Sequence, residues 1–314
     1  MREDSGLQDL FRGCILGVAI GDALGMPAEG MRIDEIRRIY GSIEDFLPSP
    51  LGDLKAGEWT DDTEQMVILA ESIIDRTYFD PDDFASKLVS WAEEAFKIRT
   101  GPTTRQALRN LLRGIKWNEA GVDSATCGAA MRVAPVGLVY HFNFDLVERY
   151  AVISASVTHR NNSAFAGAVA VAIAISALLS DFSEEEMIAE VTSRTKDYDL
   201  LLSEKISHAE KIRDEELEHA VEKLGNSIMT WDVVPMAFYC FLSSDSFTEA
   251  VKKGANAGGD TDSIAAIAGG ISGASLGAGK IPRSWKDRVM DSSYLLRLAD
   301  QLYRTHMRIV TLSP

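Results

Sequence analysis

The sequence predicts an all-α protein, a compact orthogonal multi-helix bundle built as one domain over residues 1–314. Three observations predict it. Ala, Leu, Glu and Ile dominate the chain, with small residues at the joints between periodic segments. No series of alternating strands closed by hairpin turns is present, and the β-like stretch Val133 to Tyr140 is interrupted by Pro135 and Gly137. Hydrophobic residues make up 46% of the chain and charged residues 25%, enough to bury a full core, and no long linker divides it.

Helices are expected at roughly 7–25, 32–40, 62–76, 81–97, 102–115, 128–141, 145–160, 162–180, 183–191, 198–223, 232–242, 245–256, 261–278 and 292–306. The first is apolar from Cys14 to Leu24 except for Asp22, a buried acid that needs a partner. The small, turn-prone stretch Gly25 to Ala28 ends it and leads to Glu29, placed to reach a cleft. A Gly-, Pro- and Ser-rich loop near 41–59 precedes the third helix, with shorter loops near 98–102, 120–127 and 225–231. The run Ala164 to Leu179 reads as a buried helix, short of the roughly 20 residues of a membrane span. The segment 198–223 is dense in charge with one apolar stripe and reads as a surface helix. The segment 264–278 is apolar and small nearly all round, so its backbone can approach a neighbour closely.

Charge and cysteine content narrow the function classes. With 32 basic and 47 acidic residues the net charge is −15, which repels a phosphate backbone and argues against nucleic acid as a partner. Cys14, Cys127 and Cys240 are too few and too scattered for a disulfide framework or a thiolate metal clip. The polar N-terminus is unlike a signal peptide. A cytoplasmic protein without a membrane partner is expected.

Two acidic clusters carry the chemistry. In Gly57 to Met66, Thr60, Asp61, Asp62 and Thr63 stand where a loop becomes a helix. There a hydroxyl cap and two acids in the first turn also suit the helix dipole alone. In Asn256 to Gly270, Gly258 and Gly259 turn the chain before Asp260, Thr261, Asp262 and Ser263. The helix that follows is uncharged until Lys280, so two carboxylates at its mouth are unfavourable without a positive partner. Carboxylates with hydroxyls and no cysteine suit hard ions such as Mg²⁺ or Mn²⁺. Two such ions about 4 Å apart can share one carboxylate.

Six blocks resemble the ADP-ribosylglycohydrolase family. They are GCILGVAIGDALGMPAE at 13–29, WTDDTEQM at 59–66, GPTTRQAL at 101–108, CGAAMRVAPVGL at 127–138, SVTHRNNSAFAGAVAVA at 156–172 and NAGGDTDSIAAIAGG at 256–270. The resemblance implies an all-α fold around a central cleft with two Mg²⁺ (or Mn²⁺). It also implies hydrolysis of the C1″ bond between ADP-ribose and a protein or small-molecule acceptor. It assigns Thr60, Asp61, Asp62, Asp260, Asp262 and Ser263 to the metals, with Asp262 as the bridge and Ser263 where relatives often have threonine. It assigns catalysis to Glu29, Asp61 and Asp262. It places Cys127, Gly128, Met131, Arg132, His159 and Gly258 toward the substrate, with Gly128 offering backbone N–H groups to the diphosphate.

Arg99 is a departure. An acid stands there in the branch that acts on dinitrogen reductase, and an arginine has the wrong charge to assist a guanidinium leaving group. Two other functions fit the same resemblance: an ADP-ribose-binding protein with weak turnover, and a structural protein like the lens crystallin of the family.

Overall fold

A computed structural model describes residues 4–95 and 99–312. Every regular element among these residues is a helix, and the only β features are isolated bridges, Val122 with His159 and Thr126 with Met229. The predicted all-α multi-helix bundle is what the chain forms.

The spine is one antiparallel helix pair, Asp4–Gly25 against Thr261–Leu276, which make more mutual contact than any other two elements. Its cause is legible residue by residue. Gly13, Gly17, Gly21 and Gly25 recur every fourth residue and form one stripe on the first helix. An added Cβ at these positions would lie 2.3 Å from Gly273 O, 2.1 Å from Gly269 O, 2.0 Å from Ala265 O and 2.2 Å from Thr261 O. The two backbones therefore touch along four turns, closer than any side chain allows. That contact brings the C-terminal end of the first helix beside the N-terminal end of the other, where Asp260 and Asp262 stand.

Asn162–Leu179 lies in the middle of the bundle, packed on Phe144–Ser156, Glu184–Thr195 and Ala134–Tyr140. Its side chains are buried from Ala166 to Leu179. By length and composition it is long enough to cross a membrane at 18 residues, as is Gly6–Ala28 at 23. In both, most of the apolar window is buried inside the fold, 83% and 94%.

Three expected elements differ. The charged segment 198–223 is two helices, Leu200–Lys211 and Leu217–Leu224, because the acidic run after Lys211 turns instead of continuing the apolar stripe. The segment 128–141 is a 3-10 turn at Cys127–Ala129 followed by a helix only at Ala134–Tyr140, with Pro135 in its first turn. The last helix runs on to Leu312. The end of the helix expected at 81–97 falls partly outside the described residues.

Candidate active site

Two helix N-termini and one turn supply the acids. Asp61 and Asp62 open Asp61–Arg76, Asp260 immediately precedes Thr261–Leu276 without a side-chain bond to its end, and Asp262 is in its first turn. Glu29 follows the 3-10 turn Met26–Ala28 at the end of the first helix. Gly258 and Gly259 adopt φ of +69° and +70°, which swings the chain into position for Asp260. The turn is locked by Asn226, whose carbonyl accepts from Asp260 N at 3.0 Å.

Asp22 fastens the first cluster to the spine. Its carboxylate accepts from Thr60 N at 3.0 Å, from Thr63 N at 3.0 Å and from Thr63 Oγ1 at 2.6 Å. It satisfies the orphan donors of the helix start more fully than Thr60, whose hydroxyl accepts only from Asp62 N at 3.4 Å. Burial pushes the Asp22 carboxyl up, while the donors from Thr63 and Thr60 pull it back. Asp22 is thus the structural acid, and its partners are the backbone that presents Asp61 and Asp62.

The remaining acids share one cavity of about 170 Å³ lined by Glu29, Asp61, Asp62, Asp260, Asp262 and Ser263. Asp61, Asp62, Asp260 and Asp262 are each at most 8% exposed. Ser263 Oγ donates to Asp62 at 2.8 Å, joining the two clusters across 201 positions of sequence. Cys127 Sγ donates to Asp260 at 3.1 Å, and Gln65 Nε2 donates to Asp61 at 2.7 Å. Burial raises all four carboxyls above their usual range. The charge of Asp22 adds to this at Asp61 and Asp62, and that of Glu29 at Asp262.

Among the described residues no lysine or arginine bonds any of these four carboxylates, and no three His, Cys, Asp or Glu side chains converge on one point at ligand distance. The carboxylates turn instead to neutral donors: an amide, a hydroxyl and a thiol. The donor set nonetheless fits hard divalent cations. Four desolvated carboxylates with no directly bonded cation are unfavourable when ionised, and oxygen-rich surroundings are what Mg²⁺ and Mn²⁺ take.

Further residues complete the cavity wall. Cys127, Gly128, Met131 and His159 line the cavity with Thr103, Thr104, Thr126 and Ile228. His159 is held from both sides, Nδ1 by Thr158 Oγ1 at 2.8 Å and Nε2 by Thr126 Oγ1 at 2.9 Å. Burial first, and then the charge of Arg132, lowers its pKa to about 3, so the ring is neutral. Gly128 lies directly against it: an added Cβ would stand 2.8 Å from His159 Cε1. Burial raises the Cys127 thiol well above its usual range, and the charge of Asp260 raises it further, so this cysteine is a protonated donor and not a thiolate.

Three expected site residues do not line this cavity. Arg132 is fully buried behind it, because its guanidinium is committed to Gln65 Oε1 at 2.6 Å, Thr158 Oγ1 at 2.7 Å and Ser154 O at 2.9 Å. Gly258 packs beneath the turn against Ile33 and Met31. Thr60 faces an adjoining chamber of about 220 Å³, walled by Leu54, Trp59, Glu64 and Met290. Asp61 and Arg99 line both spaces. Arg99 grips Asp53 through two N–H groups at 2.9 Å each and Glu29 at 3.1 Å, with Ser49 also in contact. Burial and the charge of Asp260 raise the Glu29 carboxyl, and Arg99 opposes that rise.

Sequence reasoning missed Gln65, Asn226, Thr126 and Thr158 as site residues. Asn226 sits in a stretch that reads only as loop. Gln65 and Thr158 stand inside blocks quoted for the resemblance, but nothing in their spacing tells that they face Arg132.

Known proteins agree with this architecture. The family model described as ADP-ribosylglycohydrolase matches residues 3–309. The chain is 58% identical over 307 residues to an uncharacterised protein of Archaeoglobus fulgidus, covering 98% of this chain and all of that one. It is 29% identical to the ADP-ribosylarginine hydrolase Tri1 of Pseudomonas putida, over 94% of this chain and 78% of the relative. With human ADP-ribosylhydrolase ARH3 the identity is 26%, over 95% and 94% of the two chains. A solved structure described as an ADP-ribosylglycohydrolase-related protein complex superposes with a TM-score of 0.81 at 29% identity, covering 96% of this chain and all of that one. The glycine-striped helix pair, the acids at its end and the match over nearly the whole length lead to one conclusion: this chain belongs to the ADP-ribosylglycohydrolase family and is an enzyme of glycohydrolase type.

Proposed function

We propose that the protein hydrolyses the C1″ bond between ADP-ribose and an oxygen-linked acceptor, on a protein or a small molecule, with two divalent cations, Mg²⁺ or Mn²⁺. The observation that carries this reading is the meeting of four buried carboxylates, from two helix N-termini, with no lysine or arginine among the described residues bonded to any of them. Asp61, Asp62, Asp260, Asp262 and Ser263, which line the cavity, would hold the cations, whereas Thr60, the sixth ligand that the resemblance assigns, faces the adjoining chamber. When bound, the cations supply Lewis acidity toward ribose hydroxyls and water.

The chain's own residues do the rest. Glu29, held in place by Arg99, takes a proton from the attacking water. The C1″–O bond breaks, the new C1″–OH bond forms, and the acceptor oxygen leaves with the proton that Glu29 took from the water. Gly128 and His159 face the oxygen-rich part of the ligand, with Cys127 and Met131 beside them. Arg99 supports the oxygen-linked acceptor. Its guanidinium already fills the Asp53–Glu29 pair at the cavity edge, in the two-pronged geometry that a substrate guanidinium would need.

The test is release of free ADP-ribose from a serine-linked peptide, O-acetyl-ADP-ribose and an arginine-linked protein, each with Mg²⁺, Mn²⁺ or chelator. Metal-dependent release is expected, fastest from the oxygen-linked substrates. Binding of ADP-ribose without release from any substrate would move the reading to a binding protein. Neither binding nor release would move it to a crystallin-like structural role.

Gly128→Ala gives a sharper check of the ligand wall. The new methyl must displace a His159 ring pinned at both nitrogens. ADP-ribose affinity measured by calorimetry is expected to fall by roughly tenfold, the scale of about 1.4 kcal/mol. An unchanged Kd would remove His159 and Gly128 from the binding surface.

A further inference from the structure

Arg132 does not line the cavity, yet it is the largest fully buried side chain in the protein, and a buried cation needs a reason. Its neighbours supply one. The guanidinium lies over the Phe84 ring at 5.4 Å and bonds Gln65 on one side and Thr158 on the other. Each of these two residues in turn bonds a group on the cavity wall, Asp61 and His159 respectively.

The chemistry of an arginine fixes the direction of every bond in this chain. A guanidinium only donates. The atom of Gln65 that faces it must therefore be the carbonyl oxygen, which leaves the amide N–H₂ to point at Asp61. On the other side, Thr158 Oγ1 must accept from Arg132 and is left with one proton to donate. The acceptor within reach is His159 Nδ1 at 2.8 Å. A proton on Nδ1 instead would leave the buried Thr158 hydroxyl proton without an acceptor. The proton of the neutral ring therefore sits on Nε2, which faces Thr126 Oγ1 at 2.9 Å. Thr126 passes the donation to Thr103, and both hydroxyls line the cavity.

We propose that Arg132 is a positioning residue that sets the hydrogen-bond polarity of the site from behind. It turns the Gln65 N–H onto Asp61 and the His159 Nε2–H onto Thr126 Oγ1, and so fixes the direction in which the Thr126 and Thr103 hydroxyls donate at the cavity wall. The ligand part of this inference rests on the ADP-ribose reading. The bond directions do not.

The experiment is a ¹⁵N–¹H long-range correlation spectrum of the histidine rings in the full-length protein. His159 is assigned among the five histidines by comparison with His159→Gln. The expected result is a single neutral form with the proton on Nε2. Thr158→Val, which keeps the shape and removes the hydroxyl, should spread the proton over both nitrogens and raise the Kd for ADP-ribose about tenfold. Thr158→Ser should restore both. Arg132→Lys, which cannot bridge Gln65 and Thr158 with a rigid fork, should behave like Thr158→Val. If it fails to fold, the Thr158 pair decides alone. A proton on Nδ1 in the unaltered protein, or a Thr158→Val spectrum identical to it, would overturn the inference. Absence of ADP-ribose binding in the unaltered protein would count against the functional reading, and the ring spectrum would still decide the bond directions.

Discussion

Asp262→Asn is expected to lower turnover by roughly a thousand-fold or more while making the metal-free protein more resistant to heat. The first half follows from its place in the lining of the cavity that both clusters share. On the proposed function Asp262 would hold the cations, and the loss of that carboxylate would remove several kcal/mol of transition-state stabilisation. The second half follows from electrostatics. Burial, and then the charge of Glu29, raises the Asp262 carboxyl well above its usual range, so the ionised form destabilises the fold.

A carboxyl with a raised folded pKa contributes its full stability below the unfolded value and loses it as pH rises through the folded value. The asparagine should therefore gain nothing in acid and most at neutral pH and above. In chelator at pH 7 to 8, its Tm should exceed that of the unaltered protein by about 3 °C. Adding Mg²⁺ should reverse the order, because the unaltered protein alone gains from binding. Thermal melts at two pH values, with and without metal, read all of this. A lower Tm for Asp262→Asn in chelator would mean that these acids are not an uncompensated cluster.

Gly21→Val should be the most destabilising single change on the spine. Its Cβ would lie 2.0 Å from Ala265 O, and the atom in the way is backbone within a packed helix, which cannot step aside. A loss of about 3 kcal/mol or more is expected in urea melts. The site should fail with it, since Asp22 follows Gly21 and Asp262 lies near the facing end of the partner helix. Gly101→Ala is the control: its added methyl meets nothing within 4 Å, and stability should stay within about 0.5 kcal/mol. Equal losses in the two variants would remove the close approach as the explanation.

How much of this was legible in the chain depends on how local the physics is. The helical class follows from composition and periodicity, and the acid-bearing helix starts follow from Thr60–Asp61–Asp62 and from the glycine pair before Asp260. The break between Leu200–Lys211 and Leu217–Leu224 was not legible, because a charge-rich helix and a charge-rich turn look alike in sequence. The end of the 128–141 segment that is a 3-10 turn was hidden for a similar reason, since the residues before Pro135 are good helix formers.

The sequence by itself determined the all-helical class, the family and the acidic, hydroxyl-rich character of the site. Each of these is carried by residue types at short spacing, where propensity, capping and charge act within a few residues. Only the tertiary structure decided which groups partner the buried Asp22, namely Thr60 and Thr63 at the start of the acid-bearing helix. It alone moved Arg132 from the ligand to the support behind it. Those assignments depend on hydrogen bonds such as Ser263 to Asp62 and Arg132 to Gln65, which join residues 201 and 67 positions apart. A hydrogen bond reaches about 3 Å, so only the packed glycine spine and the helices around it decide which donors and acceptors come within reach.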